Sequence, residues 1–178
     1  MSTLRQQRLR VELPAVFSLG SNLGDREQTL RQAVADIAAL PQVRVTAASG
    51  IVETDAVKPD GVDADAPSYL NAVVAVRTTL DPEALLAALG DIENRHGRVR
   101  EERWGDRTLD IDIVDFGGLR VRTDDLTIPH PRAAERGFVL VPWLEIEPQA
   151  SLLERGRIDE LPAAHGDDVR PYPARPLL

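Results

Sequence analysis

Strand, helix, strand, strand, helix, strand is the order of elements along this chain. It predicts an α+β protein with a ferredoxin-like core and an antiparallel-rich sheet. Three observations carry the expectation. Leu30, Ala33, Val34, Ile37 and Ala38 recur at helical spacing, as do Leu85, Leu86, Leu89 and Ile92. Tyr69 to Thr79 alternates, with Tyr69, Asn71 and Val73 on one face and Leu70, Ala72, Val74 and Val76 on the other. Leu109 to Val114 alternates too, but its even positions are Asp110 and Asp112.

Composition bounds the class. The 178 residues are 43% hydrophobic and 28% charged, enough for one domain with its own core and unlike a disordered chain. Cysteine is absent, which excludes disulfides and thiolate metal sites. No apolar run reaches membrane-span length and no signal core is present, so the cytoplasm is the expected compartment, with no membrane partner. A net charge of −8 argues against a nucleic-acid surface. Residues 1–12 are expected to be a flexible N-terminal extension, 13–150 the domain, and 151–178 a C-terminal tail packed on it or trailing from it.

In chain order, Val16 to Leu19 reads as a strand ending in GSNLGDR. Asp25 or Asn22 can cap the helix that follows, with Gln28 at capping-box spacing from Asp25. The turn has glycines but no phosphate-binding lysine, since Lys58 is the chain's only lysine; it is expected to shape a site wall. Pro41 ends the helix, and Val43 to Thr54 reads as a second strand. DAVKPDGVDADAPS is then a long Asp-, Pro- and Gly-rich loop, of the length that serves as a lid or is a disordered insertion. After the Tyr69 strand, Asp81 with Pro82 starts a helix that runs to Arg95 and stops at Gly97. Glu93 falls at its end, where an exposed pairing with arginine and a ligand contact are both open. Gly117 and Gly118 turn into Leu119 to Val121. His130, between Pro129 and Pro131, either presents its ring to a ligand or marks a rigid loop. Val139 to Ile146 reads as a short helix interrupted at Pro142, and Arg157 to Leu161 as another short helix.

The chemistry concentrates in ENRHGRVREERWGDRTLDIDIVDF. Residues i and i+2 of a strand share a face, so Asp110 and Asp112 point one way while the odd-numbered apolar set faces the core. Paired hard oxygens suit Mg²⁺, which is commonly held by one or two carboxylates together with substrate phosphates. Arg98, Arg100, Arg103 and Arg107 crowd just upstream, and guanidinium forks grip phosphate oxygens bidentately. A basic loop in an acidic protein favours a small polyanion bound at one place. The plainer alternative is a solvated charged loop leading into an edge strand.

GRVREERWGDRTLDIDI resembles the signature of the 6-hydroxymethyl-7,8-dihydropterin pyrophosphokinases of the folate pathway. FSLGSNLGDR, SYLNAVVAV and IPHPRAAERGFVLVPWLEI agree in order, so the resemblance covers about Val16 to Pro148. It implies an α/β/α layered fold and transfer of pyrophosphate from ATP to the pterin's hydroxymethyl group, with release of AMP. It also implies two Mg²⁺ ions on Asp110 and Asp112, with Arg98, Arg107, Asp110 and Asp112 as the catalytic set. ATP would be met by Arg98, Arg100, Trp104, Arg107, His130 and Arg136. The pterin would be met by Thr54, Tyr69, Asn71 and Phe138, with the rings of Tyr69 and Phe138 on opposite faces. Trp104 either caps the closed site or anchors its loop. A monomer acting on these two small molecules is expected. The chain departs from the family pattern at Asp55, where proline is common, at Asp106, where proline or a small residue is usual, and at Pro131, where some relatives carry an aromatic residue.

Two other classes fit parts of this pattern. A γ-phosphate kinase would use the same carboxylates and arginines but release ADP and have no use for Tyr69, Asn71 and Phe138. A non-catalytic binding module would leave the aspartates as surface charges.

Overall fold

The computed structural model describes residues 11–58, 60–97 and 108–178; the side chain of Lys58 is outside the description. The expected N-terminal extension falls largely, and the arginine-rich loop almost wholly, outside these residues.

The chain forms β1 (Leu13–Ser21), α1 (Arg26–Ala38), β2 (Val43–Ala48) and β3 (Val52–Thr54), then β4 (Ala56–Lys58), β5 (Gly61–Asp63), β6 (Tyr69–Thr78) and α2 (Pro82–Arg95). There follow β7 (Asp110–Phe116), β8 (Val121–Arg122), β9 (Thr127–Ile128) and α3 (Gly137–Ile146), and finally β10 (Ser151–Leu152), β11 (Gly156–Arg157) and β12 (Arg170–Pro171). The helix starts follow the sequence signals. Asp25 accepts a hydrogen bond from the Gln28 amide at 3.1 Å, and Asp81 from the Ala84 amide at 2.8 Å.

The main sheet runs β12-β3-β6-β1-β7, with β2 also paired to β6, and every pairing is antiparallel. Its central strands have the ferredoxin-like order, so the α+β expectation holds. α1 and α2 cover one face, where Phe17, Leu19, Leu70, Val74, Ile111 and Ile113 join Leu30, Ile37, Leu85 and Ile92 in the larger core. α3 covers part of the other face, packing Val139, Leu140 and Trp143 on Val16, Val73 and Val114. The alternation read in Tyr69–Thr78 thus sorts correctly between two cores.

Several elements differ from expectation. The second strand is two, β2 and β3, because β6 is long enough to pair with both in succession while its partner shifts register between Val45 and Ala47. The long loop contains the hairpin β4–β5, whose Val57 and Val62 face each other across the ladder at 68% and 65% exposure. α3 is not interrupted at Pro142: burial of Val139, Leu140, Pro142 and Trp143 holds the helix although proline removes one of its bonds. The segment at Arg157 to Leu161 is only a 3-10 turn, Ile158–Glu160, and the glycine turn leads to a strand at Val121–Arg122 that pairs with β9.

The tail is part of the fold. Leu152 and Ile158 are buried in the smaller core, and β12 adds a strand beside β3.

Candidate active site

At one end of the sheet, beside the start of α3, the face that α3 packs on turns polar. Antiparallel register aligns Asn71 of β6 and Asp110 of β7 on either side of Gly20 in β1, so these three residues share a face. Asp112 follows on the same face, opposite Ser18. Asp110 and Asp112 are half-buried while Ile111 and Ile113 between and beyond them are buried, as the period of two requires.

Gly20 is what keeps the row open. A Cβ there would lie 2.9 Å from Asn71 Oδ1 and 3.7 Å from Tyr69 Cδ1. Gly20, read as the first residue of a turn that shapes a site wall, is thus still in β1, a glycine needed for close approach. Asn71 is 3% exposed, and its Nδ2 donates to Thr54 Oγ1 at 3.1 Å. That bond fixes the amide so that its oxygen faces Gly20. Tyr69 pairs with Thr54 in the ladder, which brings Thr54, Tyr69 and Asn71 to one wall.

Opposite lies a cationic edge. Arg136 Nη1 is 3.6 Å from Asp112 Oδ2, and its guanidinium carbon lies 5.5 Å from the centre of the Phe138 ring. Burial lowers the Arg136 pKa, and Asp112 opposes that shift. His130 is held by its backbone, whose amide donates to the Val114 carbonyl at 2.9 Å. Its Nδ1 accepts from the Arg132 amide at 3.1 Å, so the neutral ring carries its proton on Nε2, 3.8 Å from Asp112 Oδ2. Burial, reinforced by Arg136 and opposed by Asp110, pushes the His130 pKa down to about 4. At neutral pH it is thus a neutral donor beside Asp112 and not half of an ion pair.

The structure brings together Thr54, Tyr69, Asn71, Asp110, Asp112, His130, Arg136 and Phe138. Arg98, Arg100, Trp104 and Arg107, with Arg103 and Asp106, lie outside the described residues. Among the described residues no group of three His, Cys, Asp or Glu side chains is arranged to hold a metal, so the carboxylate pair would need further oxygens from a ligand.

Glu93, whose role the sequence leaves open, is not exposed. It is 4% exposed, and Oε1 accepts from the Ile111 amide at 2.8 Å. β7 is the edge of the sheet, so this carboxylate fixes the backbone between the two aspartates from the helix side. A signal was present: a carboxylate in the last turn of α2 opposes the helix dipole and implies another reason for being there. A second unforeseen group ties the feet of the β4–β5 segment to α1. Arg26 Nη1 donates to the Ser68 carbonyl and Oγ, each at 2.8 Å, and lies 3.3 Å from Glu53 Oε1. The Ser68 hydroxyl, then Arg26, hold Glu53 below the usual carboxylate range despite partial burial.

An open sheet end with paired carboxylates, an arginine and a donor histidine beside an aromatic and amide wall is the build of a group-transfer enzyme on a ferredoxin-like fold. Residues 16–148 match the family described as 7,8-dihydro-6-hydroxymethylpterin-pyrophosphokinase (HPPK). The chain belongs to this family. It is 48% identical over 132 residues to the 2-amino-4-hydroxy-6-hydroxymethyldihydropteridine pyrophosphokinase of Bacillus subtilis (strain 168), covering 74% of this chain and 77% of the relative. The protein of that description from Methylorubrum extorquens is 45% identical over 134 residues, 75% of this chain and 82% of its own. A crystal structure of HPPK-DHPS in complex with substrates superposes with a TM-score of 0.66 at 16% identity, over 87% of this chain and 44% of that one. Plasmodium falciparum wild-type HPPK-DHPS with pterin and p-hydroxybenzoate gives 0.66 at 15% identity, over 86% and 43%. These two share the fold, and the chain spans less than half their length.

Proposed function

We propose that this pyrophosphokinase moves the β,γ-pyrophosphoryl group of ATP onto the hydroxymethyl oxygen of 6-hydroxymethyl-7,8-dihydropterin. The bond from that oxygen to the β-phosphorus forms as the β-phosphorus bond to the α,β-bridging oxygen breaks; AMP leaves, and the hydroxyl proton passes to solvent. The observation that carries this reading is the row Asn71, Gly20, Asp110, with Asp112 beside Arg136. It sets an amide and aromatic wall next to a carboxylate and guanidinium charge pattern on one face.

Each residue then has a task. Tyr69 and Phe138 stack on the pterin, while Asn71, oriented by Thr54, reads its edge. Arg136 neutralises phosphate charge, and the Nε2 proton of His130 donates to a phosphate oxygen. With a pKa of about 4, His130 is too weak a base to take the hydroxyl proton. Arg98, Arg100 and Arg107 brace the phosphates, and Trp104 covers them. Asp110 and Asp112, hard donors sharing a face, fit Mg²⁺ and would hold two ions with the phosphates. Held there, such ions would supply charge neutralisation and lower the pKa of the attacking hydroxyl. Positioning and electrostatics suffice for phosphoryl-type transfer, so no covalent intermediate is needed. The same reading assigns the transferase to residues 13–150 and has it act as a cytoplasmic monomer on two small molecules, without nucleic acid.

Nucleotide product analysis tests the reading. AMP formed from MgATP only when the pterin is present is the expected result. ADP in its place makes the protein an ordinary kinase and overturns the proposal.

A further inference from the structure

The C-terminal arm touches the two elements that carry Phe138 and Thr54, α3 and β3. Its 3-10 turn Pro162–His165 lies against the start of α3, the helix that carries Phe138. Contact there is close: a Cβ on Gly137 would stand 2.8 Å from the Ala163 carbonyl oxygen and 2.9 Å from Val169 Cγ2. The arm then joins the sheet edge, where Arg170 pairs with Glu53 and Pro171 with Val52, and the Tyr172 amide donates to the Ile51 carbonyl at 3.0 Å. Thr54 lies on that same strand. Further on, Arg31 donates to the carbonyls of Arg175 and Pro176 at 2.7 and 2.9 Å, which secures the end of the arm to α1.

Arg170 makes the contact that matters most. Its Nη2 donates to Asp55 Oδ1 at 2.8 Å. Asp55 is the one residue between β3, which ends at Thr54, and β4, which begins at Ala56. It lies outside both ladders, so its side chain is a direct grip on the root of the β4–β5 hairpin. Arg26 and Glu53 restrain the feet of this segment from the α1 side, and Arg170 does so from the opposite edge.

We propose that the arm from Pro162 to Tyr172 is a positioning element of the pterin pocket. Arg170 is its positioning residue, holding Asp55 and with it the hairpin that rises beside Thr54. This rests on the reading that Thr54, Tyr69, Asn71 and Phe138 receive the pterin. The two side chains are 46% and 54% exposed, so the effect is that of a surface ion pair, modest and sensitive to salt.

The test compares R170A, D55A, the double variant and the charge-swapped D55R/R170D. R170A is expected to raise KM for the pterin about threefold, with KM for ATP and the melting temperature unchanged. D55A should match it, the double variant should be no worse, and the swap should recover most of the loss. Hydrogen exchange of the protein alone gives an independent readout: R170A should speed exchange at residues 55–63 and leave α1 and α2 as they were. Unchanged exchange there, or equal rises in KM for both substrates, overturns the proposal. A wild-type protein without pterin-dependent turnover would count against the functional reading alone, and the exchange result would still decide the role of the arm.

Discussion

The two faces of the sheet are built from the same strands and used differently. On one face, α1 and α2 bury Phe17, Leu19, Leu70, Ile111 and Ile113 completely or nearly so. On the other, α3 buries Val16, Val73 and Val114, and its start, with Arg136 and Phe138, borders the polar row of Asn71, Gly20, Asp110 and Asp112. Alternation along β6 and β7 therefore places stability and chemistry one residue apart. Side chains that hold the fold and side chains that meet a ligand can be changed separately even when they are sequence neighbours.

The largest expected effect comes from the open face. Asp112→Ala should lower kcat/KM at least about a hundredfold, because a proposed metal ligand is lost, while thermal unfolding barely moves. Ile113→Ala, next door on the closed face, should do the reverse. It should cost about 2 to 5 kcal/mol in denaturant unfolding and leave the folded fraction active. Parallel losses in both assays for both variants would break the contrast.

Glu93 lies between the two behaviours. Glu93→Ala removes the carboxylate that accepts from the Ile111 amide, which should cost about 1 to 3 kcal/mol. It should also lower turnover, because the backbone it fixes carries Asp110 and Asp112. Urea unfolding alongside steady-state kinetics checks this pairing. Gly20→Ala is a smaller perturbation of the same row. The new methyl would meet Asn71 Oδ1, so pterin KM should rise about tenfold with little change in KM for ATP.

A last expected effect concerns pH. The His130 pKa falls from 6.5 to about 4 on folding, chiefly by burial, so between those values the unfolded chain binds more protons. Its neutral ring is fully compatible with the fold above pH 6.5, and stability is lost as pH falls toward 4, by at most about 3 kcal/mol. Magnesium-free unfolding at pH 7 and pH 4.5 should show a smaller difference in His130→Gln than in the parent protein.

Much of this division could be read from residues alone. Period-two alternation placed Tyr69 and Asn71 on one face and Leu70 and Val74 on the other, and it separated Asp110 and Asp112 from Ile111 and Ile113. Asp25 and Asp81 marked helix starts because a cap is a local bond. What escaped depended on distant partners. Glu93 is buried because β7 returns beside the end of α2, and Gly20 matters because Asn71 arrives across the sheet. β12 gave no strand signal, since Arg170 and Pro171 pair with β3 over two residues amid prolines. Pro142 looked like a helix break because a local rule was read without the packing that overrides it.

In the proposed function, Asp110 and Asp112 would hold a metal ion together with the polyphosphate. Calorimetric titration with α,β-methylene ATP, with and without Mg²⁺, tests it most directly. Affinity in the parent protein should depend strongly on Mg²⁺, and in Asp112→Asn that dependence should largely vanish while the unfolding transition stays in place. Equal Mg²⁺ dependence in the two proteins would contradict the account.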